Sequence, residues 1–235
     1  MKTNIYRKRP ASAFVRGWFE TATNGQKAFR QKYPELFEKQ IFELTEENMD
    51  ELIRVGESYE LSLHIFRANI QFGVYEKVIS ILKGIQPDNI LDVGSQRGAF
   101  LWQLTDTFRY TSVTSVELNQ RYINWMKMVQ RGGITHLKPI CGDAKDLSTF
   151  LVHEFDTITA LNVLDYSENY KKILNEICRL AKRFIIISIA YGRNDNPRHF
   201  YRFNEEDIRR AFQENNIFQV KIEKVQNHLI AVARK

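Results

Sequence analysis

The stretch Asn-Ile-Leu-Asp-Val-Gly-Ser-Gln-Arg-Gly-Ala-Phe, residues 89–100, holds the first residues able to do chemistry: Asp92, Gly94 and Gly98, spaced D-x-G-x-x-x-G. Gly94 lets the chain turn sharply after an apolar run, and Gly98 lets a helix begin close to that run and to a ligand. The N–H groups of such a helix start point at an anionic ligand group. Glycine at a strand-to-helix turn also has a purely steric use, so the loop alone does not decide between the two. Glu117 follows Asp92 by 25 residues at the end of another apolar run, where a carboxylate can accept both hydroxyls of a ribose diol. Asp143 in Cys-Gly-Asp-Ala-Lys-Asp-Leu is placed to accept from an exocyclic amine, with the small Ala144 leaving room for a ring. Its plainer reading is a turn residue bonding its own backbone. Asn162, Asp165 and Tyr166, in Ala-Leu-Asn-Val-Leu-Asp-Tyr, end a further run.

Those residues need a scaffold that delivers them to one edge, and the chain from about residue 73 has the required alternation. A helix with Val74, Val78, Ile81 and Leu82 on one face precedes the strand 89–93. A helix near 98–107, the strand 111–117, a helix carrying Tyr122, Met126 and Val129, and the strands 136–141 and 155–161 follow. A helix with Tyr170, Leu174, Ile177 and Ala181 leads to the β-branched run 184–190. Five strands separated by helices predict a parallel sheet with helices on both faces. Asn204 can cap a helix bearing Ile208, Ala211 and Phe212, and the runs 217–225 and 228–234 read as a terminal hairpin turning at Gln226 and Asn227. In an open sheet of this kind ligands bind beyond the carboxyl ends of the strands.

The order and spacing of Ile-Leu-Asp-Val-Gly-Ser-Gln-Arg-Gly-Ala-Phe, Val-Glu-Leu, Cys-Gly-Asp-Ala-Lys-Asp-Leu, Phe-Asp-Thr-Ile-Thr-Ala-Leu-Asn-Val-Leu-Asp-Tyr and Phe-Ile-Ile-Ile-Ser-Ile-Ala resemble those of class I S-adenosylmethionine-dependent methyltransferases. The resemblance covers residues 73–235. It implies a Rossmann-like, doubly wound, mostly parallel seven-stranded sheet whose last strand is antiparallel. It further implies that Asp92, Gly94 and Gly98 surround the methionine part of the cofactor and that Glu117 holds the ribose. Asp143, Ala144 and Leu118 would frame adenine, and Asn162 would lie near the sulfonium. Gln96 stands where many members have a further glycine, leaving open whether it lines the cofactor or faces solvent. A dehydrogenase is disfavoured, since G-x-G-x-x-G is missing after the first strand.

The acceptor is less legible. The fourth strand ends in Asn-Val-Leu-Asp-Tyr rather than the N/D-P-P-Y/F pattern that the resemblance associates with amino groups of nucleobases, which points toward a small molecule. Residues 191–203 bring Arg193, Arg198 and Arg202 together with Tyr191, Phe200 and Tyr201, a composition suited to an anionic acceptor with an aromatic body or to a plain basic surface loop. Tyr166, Arg193, Arg198, Tyr201 and Arg202 are therefore the expected substrate contacts, with His199 the first candidate base and Asp165 the second.

Residues 1–72 read as a basic N-terminal arm followed by accessory helices, and residues 73–235 as the cofactor-binding domain. Residues 1–39 carry nine Lys or Arg against three Glu, which accounts for the whole net charge of +6. With Tyr6, Phe14, Trp18 and Phe19 among those charges, the arm reads first as solvated or loosely docked. RNA or protein as acceptor, an anionic surface, or an organellar transit peptide are its alternative uses. Thr45 is expected to cap a helix with Met49, Leu52 and Ile53 on its apolar face. The five histidines are scattered without zinc-type pairing, Cys141 and Cys178 read as reduced core thiols, and no apolar run is long enough for a bilayer. A cytoplasmic enzyme without a metal is the resulting expectation, with its oligomeric state open and a non-catalytic binding protein the remaining alternative.

Overall fold

A computed structural model describes residues 8–21, 24–34, 56–59, 61–66, 72–191 and 200–235. The expected Thr45 cap and its helix lie outside them. Two N-terminal helices, α1 (Lys8–Phe19) and α2 (Asn24–Lys32), precede α3 (Phe72–Ile85). There follow β1 (Asn89–Val93), α4 (Leu101–Thr107), β2 (Ser112–Glu117), α5 (Gln120–Arg131), β3 (Leu137–Cys141) and β4 (Phe155–Leu161). The chain ends with α6 (Tyr170–Leu180), β5 (Ala181–Ala190), α7 (Glu205–Gln213), β6 (Gln219–Val225) and β7 (His228–Arg234).

The seven strands form one sheet in the order β3-β2-β1-β4-β5-β7-β6, and only β7 runs against the rest. The order reverses between β1 and β4, so the ends of those two strands open the crevice where ligands bind in such sheets. Alternation along each strand divides the core. Ile90 and Val113 belong to one apolar cluster, with α1, α3, α4 and α5, whereas Leu91, Val93 and Val116 belong to a second, with α6 and α7. Asn204 caps α7 as its sequence suggests, closing a capping box with Asp207.

Residues 8–19 differ from the solvated or loosely docked arm that their charge suggests, and residues 1–7, with Tyr6, lie outside the described residues. Ala11, Ala13, Phe14, Val15 and Trp18 of α1 are fully buried and join the first cluster, packed along α5. Phe14 stacks on Phe66 with centroids 5.4 Å apart, and Phe66 on Trp102 at 5.1 Å, so α1 braces the helix that follows the glycine loop. Two of its cations are turned to structural use: the Arg9 guanidinium donates to the Thr105 carbonyl and Arg16 Nε to the Gly132 carbonyl at 2.7 Å. The apolar stripe of α1 wins over its charge because burying Phe14 and Trp18 is worth several kcal/mol, whereas exposed cations cost little when they stay at the rim. Neither aromatic is therefore available to stack on a nucleic acid base.

One thiol also departs from expectation. Cys178 on α6 is buried, but Cys141 ends the edge strand β3 and is exposed. Among the described residues no helix is long and apolar enough to cross a membrane, and no cluster of His, Cys, Asp and Glu could hold a metal ion.

Candidate active site

The ends of β1, β2 and β4 converge on a network built around two buried carboxylates. Asp92 is the last polar residue of β1, and its strand neighbours are Ser115 on β2 and Thr159 on β4. Its carboxylate accepts from Thr159 Oγ1 at 2.7 Å and from Ser95 Oγ at 2.5 Å, while Ser95 Oγ lies 2.8 Å from Ser115 Oγ. Burial raises the Asp92 pKa from 3.8 to about 6, the two hydroxyl donors pull it down, and the nearby Glu117 charge adds to the rise. Glu117, also buried, accepts from the Gln96 N–H at 2.7 Å with one oxygen and from the Asn119 N–H at 2.9 Å with the other. Each carboxylate oxygen keeps a second lone pair for a ligand hydroxyl.

The glycine loop takes its shape from steric need. Gly94 has φ of +70°, and a Cβ there would come within 2.7 Å of the Val163 side chain; Gly98 has φ of +84° with the Trp102 indole against its Cα. The Trp102 indole N–H donates to the Arg97 carbonyl at 3.0 Å, fixing the loop from behind. Gln96 itself has φ of +50°, the left-handed conformation that glycine takes most easily, and its side chain is exposed. What the loop needs at this position is the backbone geometry and the N–H aimed at Glu117. A glutamine delivers both with some strain, of about 1 kcal/mol.

Two cavities meet at this loop. The larger, about 330 Å³, is walled by Glu117 and Leu118 from β2, Asp143 and Ala144 after β3, and Asn162 after β4. Leu118 is 68% exposed, an apolar surface held open beside a carboxylate. Asp143 accepts from the Lys145 N–H at 2.9 Å, the turn bond its sequence suggests, and still faces the cavity. The smaller cavity, about 190 Å³, is lined by Asp92, Ser95, Tyr75, Arg97, Phe100 and Tyr166 among others. Gly94, Gln96, Asn162 and Tyr166 border both. Asn162 is buried in the left-handed region with φ of +55°, its Oδ1 3.3 Å from the Ser188 hydroxyl.

Tyr75 and Arg97 are the residues that strand-end reasoning misses. Tyr75 sits on α3, before the first strand, with its ring 5.6 Å from Phe100. Burial, with the Asp92 charge and Tyr166 nearby, raises its phenol to about 12, so it stays a hydrogen-bond donor. In sequence it is one more aromatic on an amphipathic helix. Arg97 Nε reaches the Tyr122 hydroxyl at 3.4 Å.

The remaining expected residues are dispersed. Asp165 is fully buried, accepts from the Ala190 N–H at 3.2 Å and lines neither cavity. Tyr201 and Arg202 line a separate cavity with Tyr170 and Arg210, and the Tyr201 hydroxyl donates to the Glu168 carbonyl at 2.9 Å. Arg193, Arg198 and His199 lie outside the described residues.

Known proteins bear on this geometry in two ways. Residues 86–230 match the family described as "Methyltransferase domain". No protein of curated function matches the sequence. Among solved structures, the N-terminal domain of EvdMO1 with S-adenosylhomocysteine bound superposes with a TM-score of 0.55 at 15% identity, covering 68% of this chain and 80% of that one. A methyltransferase dependent on S-adenosylmethionine from Aquifex aeolicus gives 0.57 at 18% identity, covering 68% and 88%. PigF with S-adenosylhomocysteine gives 0.56 at 18%, covering 70% and 55%. The structures agree on the fold, and the family match takes in the glycine loop and the ends of β1 through β5. The chain belongs to the methyltransferase-domain family and is a class I S-adenosylmethionine-dependent methyltransferase.

Proposed function

We propose that the enzyme methylates a small molecule carrying an aromatic or anionic group, held in the cavity between Tyr75, Arg97, Phe100 and Tyr166. The observation that carries this reading is the smaller cavity itself: about 190 Å³, part aromatic, with one guanidinium, and sharing four wall residues with the larger cavity. A space of that size accommodates a compact group better than a polymer. Crystals of the EvdMO1 domain grown in the presence of S-adenosylhomocysteine and D-fucose are in keeping with a small acceptor. The reading of the N-terminal segment as an RNA or protein contact loses part of its motive, because Phe14 and Trp18 are buried and Arg9 and Arg16 bond backbone carbonyls, while Lys2, Tyr6 and Arg7 lie outside the described residues.

The larger cavity fits the adenosine of the cofactor. Glu117 has lone pairs for two ribose hydroxyls, Leu118 and Ala144 offer apolar walls to a flat ring, and Asp143 can accept from its amine. Asp92, Gly94, Ser95 and Gln96 take the methionine end, and Asn162, bordering both cavities, stands near the sulfonium. Bound there, the cofactor supplies a methyl group already activated for displacement, so the protein contributes mainly alignment and the exclusion of water. Tyr75 and Arg97 orient the acceptor by donating to an anionic oxygen, and Tyr166 forms the wall between the two ligands. A phenol held protonated to about 12 is a donor and not a base.

The test is transfer from tritiated-methyl S-adenosylmethionine into separated metabolite, RNA and protein fractions. Label should enter the metabolite fraction; label confined to RNA or protein would overturn the small acceptor. Arg97→Gln should then raise KM for the acceptor with S-adenosylhomocysteine affinity unchanged.

A further inference from the structure

The end of α1 and the outer face of α5 enclose a third cavity of about 450 Å³, whose wall includes Arg121, Lys127 and Arg131 together with Thr21, Asn124 and Trp125. It shares no wall residue with the two cavities of the active site. All three charged side chains are cations. α5 contains no acid in its twelve residues, and among the described residues no carboxylate lies within ion-pair distance of Arg121, Lys127 or Arg131.

Some surface cations elsewhere are paired. Lys77, Lys171, Arg179, Arg183 and Arg210 each face a carboxylate within 3.3 Å. On α5 the charges oppose local electrostatics. Arg121 occupies the first turn, where the helix dipole disfavours a cation, and Lys127 and Arg131 stand four residues apart as a like-charged pair. Only Arg131, in the last turn, gains from the dipole. Arg121 is held over the Trp125 ring at 5.1 Å, which fixes its guanidinium at the cavity wall.

We infer that this cavity is a second binding site, for a small molecule bearing a diphosphate or two closely spaced phosphates. Two guanidinium forks and an ammonium neutralise such a group, the arginines through paired N–H donors and the lysine as a point charge. Asn124 adds an amide donor beside them. A discrete ligand fits better than a nucleic acid strand. Trp125 is only 7% exposed, with its ring occupied by Arg121 and by Tyr122 at 5.3 Å, so the face offers no platform for a base. The volume is that of an ordinary ligand pocket.

Calorimetry on the full chain tests this, with S-adenosylhomocysteine present to block the active site and pyrophosphate as the probe. Pyrophosphate should bind saturably, more tightly than orthophosphate, and about tenfold or more weakly to Arg121→Gln and to Lys127→Gln. Both side chains are exposed, and an unchanged melting temperature verifies each fold. ADP as a second titrant reads whether an organic body adds affinity, and equal or tighter binding that depends on the same residues supports the site. No saturable binding of pyrophosphate, or binding that both variants retain, overturns it. So does tighter binding of a short single-stranded oligonucleotide through these residues, which would assign the face to a polymer.

Discussion

Replacing Asp92 by asparagine should make the protein more stable at neutral pH while weakening its hold on the cofactor. In the fold the Asp92 pKa stands at about 6 against 3.8 for the free side chain, with desolvation the main cause. The displacement corresponds to about 3 kcal/mol. Its sign follows from proton counting. Between pH 4 and pH 6 the folded state holds a proton at Asp92 that the unfolded chain has lost, so this group favours folding below about pH 4. That contribution falls away as the pH rises through 6. Asparagine keeps the side-chain shape, accepts from Thr159 and can donate to the Ser95 hydroxyl, but it carries no charge to desolvate. Allowing for one imperfect hydrogen bond, the expected gain at pH 7.5 is about 1–3 kcal/mol. Urea titrations of both proteins from pH 4 to pH 8 measure it. The two stability curves should diverge as the pH rises through the 4–6 window, and parallel curves would refute the reasoning. The same ionisation should be visible in binding, because a cationic ligand favours the charged carboxylate. Calorimetry with S-adenosylmethionine near pH 6 should therefore show proton release in the wild type and none in Asp92→Asn.

Glu117→Gln leaves one acceptor oxygen where two N–H groups and a ribose compete, and should weaken S-adenosylhomocysteine by roughly 1.5–3 kcal/mol; unchanged affinity would remove Glu117 from the site. Gln96→Gly relaxes a left-handed residue and should leave both affinity and stability within about 1 kcal/mol, whereas Gln96→Val, β-branched at positive φ, should cost about 1–2 kcal/mol by chemical denaturation. Gly98→Ala drives a methyl group into the Trp102 indole, so the melting temperature and cofactor affinity should fall together. Trp18→Ala should cost about 3–5 kcal/mol in urea, against almost nothing if α1 were a solvated arm.

Much of the fold is legible because its signals are local. The strand 89–93, the helix face of Val74, Val78 and Leu82, the Asn204 cap and the turn at Gln226 each follow from apolar period or capping chemistry within a few residues. Asp92, Glu117 and Asp143 are legible for a related reason, since a parallel sheet puts every strand's end at one edge and an acid at such an end is conspicuous. Arg97 and Tyr75 are not, because they come to line one cavity only when α3 packs beside the loop from another part of the chain. Asp165 shows the reverse: a carboxylate beside the expected reactive end turns inward to the Ala190 N–H, a partner that only strand pairing brings near.

The N-terminal segment marks the division most plainly. By itself the sequence determined an amphipathic, basic stretch and a loop with Gly94 and Gly98 after a strand, with Gln96 between them. Only the tertiary structure decided that Phe14 and Trp18 would leave water for the side of α5 and that Phe14, through Phe66 and Trp102, would brace the loop that holds Gly98. Charge and apolar period are written along the chain, but which surface an apolar stripe meets is a property of distant residues, and the free energy of burial resolves the competition between them.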